Sequence, residues 1–232
     1  MKKMRFLSVM LGLMVAFTQC GGGDDPTPDP TPDPVDDRIK DGDNNVYTEV
    51  KIGGQTWLKE NLKTTKYNDG TPIVNQTANS AWASSTNGAY CWYDNSEANK
   101  NTYGALYNHY VIANGKLCPK GWHVPFASEW SDLVNANGRE SSAGAALKEA
   151  GTAHWDVGAG ATNESGFTAL PNGSRLSDGT FGQLRFKANF WTRDDGSTQA
   201  VARFFYMEAE MNSVTQAEAA KECGFAIRCI KD

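Results

Sequence analysis

The chain has 232 residues, a formal charge of −5 and 40% hydrophobic residues, with 7 Trp, 10 Phe and 8 Tyr. That many aromatic side chains can fill the core of one sizeable domain. An acidic balance without a Lys/Arg cluster argues against nucleic acid as a partner.

Lys2, Lys3 and Arg5 precede an apolar run over residues 6–17, and Thr18, Gln19 and Cys20 follow. A basic start with a short apolar run reads as a secretory signal over residues 1–19, shorter than the roughly 20 apolar residues that span a bilayer. Its removal takes away three positive charges and no negative ones, moving the formal charge from −5 to −8. The cysteine directly after the run resembles a bacterial lipoprotein signal, with Cys20 as the expected lipidation site. Gln19 departs from the small residue usual before that cysteine, and plain signal cleavage leaving an unpaired cysteine is the alternative. The Gly-Gly-Gly-Asp-Asp that follows is similar to the leaders of surface lipoproteins in Bacteroidetes-type bacteria. The resemblance implies an exported outer-membrane lipoprotein exposed at the cell surface, touching the membrane only through its N-terminal lipid. Residues 26–34 alternate proline with small polar residues, a polyproline II tether rising about 3.1 Å per residue. Residues 20–40 thus read as tether and 41–232 as one globular head.

Asp41-Gly42-Asp43-Asn44-Asn45 has calcium-ligand residue types. An EF-hand loop needs glycine at its sixth place and an acid at its twelfth, where Val46 and Ile52 stand. The segment therefore reads as a turn, calcium is unsupported, and no metal or other cofactor is expected. Val46, Thr48, Val50 and Ile52 alternate with Tyr47, Glu49 and Lys51 as in a half-buried strand, and Gly53-Gly54 closes a hairpin onto residues 55–58. Residues 71–103 are polar and expected to be irregular, anchored by Trp82, Tyr90, Trp92 and Tyr93. In residues 118–134, Gly121 permits a special backbone conformation and Pro125 holds His123-Val124 extended; Trp130, Leu133 and Val134 then form one helical stripe. Residues 142–150 predict a second short helix, and 166–170 a strand. A hairpin turn of the Asp-Gly type is expected over 176–181. Phe190-Trp191 predicts a buried strand running into a polar loop at 192–196, and 201–211 a long strand. In the last strand Phe225, Ile227 and Cys229 alternate with Ala226, Arg228 and Ile230. Two short helices among many short strands and long loops make the fold α+β.

Ordered blocks throughout the head carry a resemblance. They are Lys51-Ile52-Gly53-Gly54-Gln55-Thr56-Trp57 with Glu60-Asn61-Leu62, then Tyr103-Gly104-Ala105-Leu106-Tyr107-Asn108, then Cys118-Pro119, Gly121-Trp122-His123-Val124-Pro125 and Glu129-Trp130. Gly166-Phe167-Thr168-Ala169-Leu170-Pro171, Phe190-Trp191, Gly224-Phe225 and Arg228-Cys229 complete the set. Together they resemble the Fibrobacter succinogenes major paralogous domain family of bacterial exported proteins. The Gly121 to Trp130 segment is also similar to the formylglycine-generating-enzyme and C-type-lectin-like fold. That likeness implies a lectin-like head, two short helices packed on small antiparallel sheets with long irregular loops. The chain departs from the family at two places. Phe126 stands where Ser or Thr is usual, removing an N-cap hydroxyl worth about 1 kcal/mol, with Ser128 the expected substitute. Thr192-Arg193-Asp194-Asp195 replaces a serine-rich loop.

Four cysteines lie in the head, and in an exported protein they suggest disulfides with three possible connectivities. The lectin-like resemblance implies Cys118 with Cys229, leaving Cys91 with Cys223 by elimination. His109, His123 and His154 lack metal-ligand spacing, and no nucleophile elbow, phosphate loop or dinucleotide fingerprint occurs, which weighs against an enzyme. The expected function is a tethered, non-catalytic module that binds glycan or another surface macromolecule. A structural or adhesion protein with a protein partner is the alternative, and an enzyme acting on polysaccharide the third reading. Sugar recognition would use an aromatic face with amide and charged hydrogen-bonding groups. The candidates are Trp155, Asn172, Arg175, Trp191, Arg193, Asp194 and Asp195, with 192–196 the preferred place, although large aromatics mostly serve packing.

Overall fold

In the computed structural model, which describes residues 37–158 and 160–232, the first feature is a turn organised by one carboxylate. The expected signal peptide, Cys20 and the tether through residue 36 lie outside the described residues. Asp41 accepts hydrogen bonds from the N–H groups of Asp43 (2.9 Å) and Asn45 (3.0 Å) and from the Tyr47 hydroxyl (2.5 Å). The turn joins β1 (Ile39–Lys40) to β2 (Val46–Tyr47). The Tyr47 bond draws that ring inward to 3% exposure while Val46 is 42% exposed. The alternation expected to run unbroken to Ile52 therefore reverses at Thr48. Beyond it β3 (Glu49–Ile52) pairs antiparallel with β4 (Gln55–Leu58) through the predicted Gly53-Gly54 hairpin.

Next come β5 (Val74–Asn75), α1 (Asn79–Ala83), β6 (Ala89–Cys91), α2 (Lys100–Tyr103) and β7 (Leu106–Tyr107). β6 pairs parallel with β5 and antiparallel with β7. Trp82, Tyr90, Trp92 and Tyr93 are all buried, as expected of anchors. The two helices in this polar stretch span one turn each, too short to leave a 3.6-residue period in the sequence.

The predicted arm and helix follow as β8 (Trp122–His123) and α3 (Ala127–Ala136), with Trp130, Leu133 and Val134 buried. α4 (Ala143–Leu147) occupies the centre of the second predicted helix. Phe126 is the N-cap of α3 and has no acceptor to offer. Ser128, the expected substitute, lies inside the helix and is exposed. Two carboxylates satisfy the first N–H groups instead. Glu129 accepts from Phe126 (2.7 Å) and Asp194 from Ala127 (2.6 Å), both favourably placed for the helix dipole. Asp194→Ala is therefore expected to lower stability by about 1 kcal/mol in urea unfolding, and adding Phe126→Ser to recover part of it. An unchanged midpoint for Asp194→Ala contradicts this capping role.

β9 (Asn172–Arg175) and β10 (Phe181–Leu184) flank the predicted Asp178-Gly179 turn. β11 (Lys187–Asp195), β12 (Val201–Glu208) and β13 (Val214–Ala220) then form an antiparallel sheet with apolar residues on both faces. Phe190, Phe205 and Met207 enter one core with Trp57, Trp130 and Phe167, while Trp191 and Phe204 enter another with Tyr107 and Phe225. Trp130 stacks on Phe205 at 5.4 Å and meets Trp57 edge-on at 5.2 Å, geometry worth about 1 kcal/mol per pair beyond area burial. The same double burial accounts for residues 225–230. Phe225, Ile227 and Cys229 join one core and Ala226 and Ile230 the other, so the predicted alternation separates two cores and no solvent face. Only β14 (Ile230–Lys231) is strand, paired with β4 and β8.

Residues 166–170 do not form the predicted strand. Ala169 makes one bridge to Lys148, and Thr168 has φ of 55°, outside the extended region. Cys118 and Cys229 are disulfide-bonded, as the resemblance implied. Cys91 and Cys223 are separate buried thiols, correcting the second pairing; they sit in different clusters, Cys91 with Trp82 and Leu106, Cys223 with Trp191 and Phe225. The fold is α+β, built of mostly small antiparallel sheets and a few short helices.

Candidate binding pocket

A cavity of about 380 Å³ forms where segments distant in the chain converge. Its lining includes Lys59, Glu60, Asn61 and Lys63 after β4, Asn101, Thr102 and Gly104 around the end of α2, then His154, Thr168, Leu170 and Arg228. That volume suits a small ligand.

Asn61 is the joint of the site. Its Oδ1 accepts from Arg228 Nε (3.1 Å) and Nη2 (2.6 Å), and its Nδ2 donates to the Tyr103 carbonyl (2.9 Å). Arg228 Nη1 donates to the Phe167 carbonyl (2.6 Å), and the guanidinium lies 4.4 Å over the Phe167 ring. Arg228 is 1% exposed and has no carboxylate within ion-pair distance among the described residues. Burial disfavours its charge, pushing it down to about 9, and the field of Glu60 opposes that shift. Among the described residues, two of its five N–H groups have no acceptor.

Two backbone conformations at the lining depart from the ordinary. Gly104 has φ 76° and ψ −164°, and a Cβ there would lie 2.8 Å from both Asn61 Cβ and the Leu62 carbonyl oxygen, so only glycine fits. Thr168 is β-branched yet holds φ of 55°, a strain on the order of 1–3 kcal/mol. Asn163 fixes it: Oδ1 accepts from the Thr168 N–H and Nδ2 donates to Thr168 Oγ1, both at 2.9 Å. Glu60 accepts from the Thr48 N–H (2.9 Å) and hydroxyl (2.7 Å). His154 Nδ1 meets Glu149 at 2.9 Å, with its ring edge-on to Tyr103. Apart from Leu170 and Gly104, every lining residue carries a hydrogen-bonding side chain.

None of the seven residues expected to bind ligand lines this cavity. Trp155, Asn172, Arg175 and Trp191 are at most 1% exposed and, unlike the equally buried Arg228, line no part of this cavity, which removes them as contacts of a ligand bound there. Their polar atoms serve the protein itself. Trp155 Nε1 donates to the Ala169 carbonyl and Trp191 Nε1 to that of Tyr107. Asn172 exchanges bonds with the Asn189 backbone, and Arg175, 4.4 Å over Trp82, fastens the carbonyls of Gln76 and Thr77. Residues 192–195 are not a loop but the bulged end of β11. Trp191 pairs with Phe204 and Asp195 with Ala202, leaving extra residues on β11. Asp194 there caps α3, whereas Arg193 and Asp195 are exposed beside a second cavity of about 270 Å³ with His109, Tyr110 and Lys221. Among the described residues no group of three His, Cys, Asp or Glu could hold a metal ion.

His109 sits under that second cavity, its Nε2–H donating to the Thr192 carbonyl at 3.0 Å. Burial holds it down to about 4 from an ordinary 6.5. The unfolded chain therefore binds this proton more readily. The neutral ring's contribution is intact above pH 6.5 and is lost as pH falls towards 4, on the order of 2–3 kcal/mol in all. Unfolding free energies at neutral pH and near pH 4 are expected to differ by that much more for the natural chain than for His109→Gln. Equal differences contradict the assignment.

Residues 50–231 match the Fibrobacter succinogenes major domain. The chain belongs to that family. Comparison with curated proteins returned no match, and comparison with solved structures returned none. Glu60, Asn61, Gly104, Thr168, Leu170 and Arg228 of the pocket all belong to the blocks by which this chain resembles other family members. Arg193 to Asp195 lie where it departs from them. The blocks were thus the available signal: Asn61, Gly104, Thr168 and Arg228 are residues that no helix or strand requires, recurring in segments far apart in sequence.

Proposed function

We propose that this protein is a non-catalytic binding module, tethered to the outer face of the outer membrane through lipidated Cys20, that recognises glycan in the Asn61–Arg228 pocket of a lectin-like head. The observation that carries this reading is the pocket's make-up: amide, hydroxyl and charged groups converge on one cavity and are held there by strained or glycine-only backbone at Thr168 and Gly104. Cys91 and Cys223 are poor nucleophiles, since burial pushes both thiols up to about 11. A glycan array probed with the full chain in neutral detergent is expected to give selective binding that Thr102→Trp, which fills the cavity, abolishes. An array without binding, beside a successful pull-down of a surface protein, replaces this reading with an adhesin for a protein partner.

One observation favours a second reading, an enzyme acting on polysaccharide. His154 lines the cavity with its imidazole oriented by Glu149, the arrangement of a carboxylate-held general base. Release of reducing ends from polysaccharides by the natural chain and not by His154→Ala is the result that would establish it.

A further inference from the structure

Building on the glycan reading of the pocket, we propose that its ligand is an acidic sugar, bearing a carboxylate or a sulfate ester. The charges of the lining run against those of the protein. The whole chain carries −5, yet the cavity gathers Lys59, Lys63 and Arg228 against one carboxylate, Glu60. Both Glu60 oxygens are already turned onto Thr48. None of the three cations has a carboxylate within ion-pair distance among the described residues, and Lys63 has only a long contact of 3.5 Å with Asn101 Oδ1.

Arg228 is the stronger part of the argument. A guanidinium buried without a counter-charge is unfavourable in itself, because desolvation is not offset by an ion pair. Asn61 and the Phe167 carbonyl fix its orientation through three N–H groups, the other two have no acceptor among the described residues, and the side chain lines the cavity. An anion entering the cavity would meet this charge where water screens it little. Lys59 and Lys63 at the rim, exposed and half-buried, add steering at longer range. Asn101, Thr102 and Thr168 offer amide and hydroxyl partners of the kind a sugar ring requires.

Titration calorimetry of the full chain in neutral detergent, with neutral oligosaccharides, oligouronates and sulfated oligosaccharides, tests the proposal. Acidic sugars are expected to bind and neutral ones not, with binding weakened at about 0.5 M salt. Lys59→Gln and Lys63→Gln are each expected to weaken binding about 2–5-fold, while Lys63→Arg retains it. Whether the uronate or the sulfated arm responds identifies the source of the anion. Neutral sugars binding as well as acidic ones, or acidic sugars binding both lysine variants as tightly as the natural chain, overturns the acidic ligand and leaves the binding module standing. Absence of binding to every sugar overturns both.

Discussion

Asn61→Ala is expected to destabilise the head by about 3–5 kcal/mol, more than Arg228→Met does, although arginine is much the larger side chain. The order follows from what each change leaves behind. Removing Asn61 strips two of the three hydrogen bonds that hold Arg228 and strands a cation that is 1% exposed. It also frees the Tyr103 carbonyl, which fixes the start of the glycine-only turn at Gly104. Removing Arg228 leaves a buried amide oxygen and the Phe167 carbonyl short of a donor, at about 1–3 kcal/mol each, but takes away the desolvated charge as well. Denaturant unfolding of Asn61→Leu with Arg228→Met is therefore expected to recover much of the loss seen in Asn61→Ala. A double variant as unstable as Asn61→Ala shows that packing, not a stranded charge, sets the cost. A folded double variant that no longer binds acidic sugar separates the two roles of the pair, since it shows what the buried cation does beyond stability.

The parts of the fold legible in the sequence are those where local chemistry dictates local shape. Gly53-Gly54 and Asp178-Gly179 announce their hairpins, and Trp130, Leu133 and Val134 announce α3. Where tertiary packing decides, the pattern misleads. β13 escapes notice because Val214–Ala220 is mostly small and polar and is carried by its pairing with β12. Arg175, Asn172 and Arg228 have the composition of surface residues, yet each is buried because backbone carbonyls or amides satisfy it. A residue type states what a side chain can bond, not whether its partner is a ligand or the chain's own backbone. That is why four of the seven expected binding residues, Trp155, Asn172, Arg175 and Trp191, fell inside the core. Asn61 and Arg228, which nothing in the sequence marks as binding residues, meet from 167 positions apart.

Removing the Cys118–Cys229 bond, by Cys118→Ser with Cys229→Ser, is expected to lower stability by about 2–5 kcal/mol. The bond joins residues 111 apart, so its loss restores to the unfolded chain the freedom of a long loop. Its place in the native state matters equally. β14 is two residues long and lies between β4 and β8, pairing through Ile230 with Trp57 on one side and through Ile230 with His123 and Lys231 with Trp122 on the other. A pairing so short has little stability of its own. The disulfide, entering just before β8 and leaving just before β14, holds the two together. Opening is therefore expected to be local first, with hydrogen-exchange protection lost at Ile230 and Lys231 before β11–β12, whose long ladder is buried on both faces. Cys91 and Cys223 supply an internal control. Being buried and shifted up to about 11, neither thiol should take up an alkylating agent in the native protein before or after mild reduction, whereas Cys118 and Cys229 become reactive only after it. If all four label together on reduction, the head unfolds as one unit, and the bond is then a requirement of the whole fold instead of a clamp on β14.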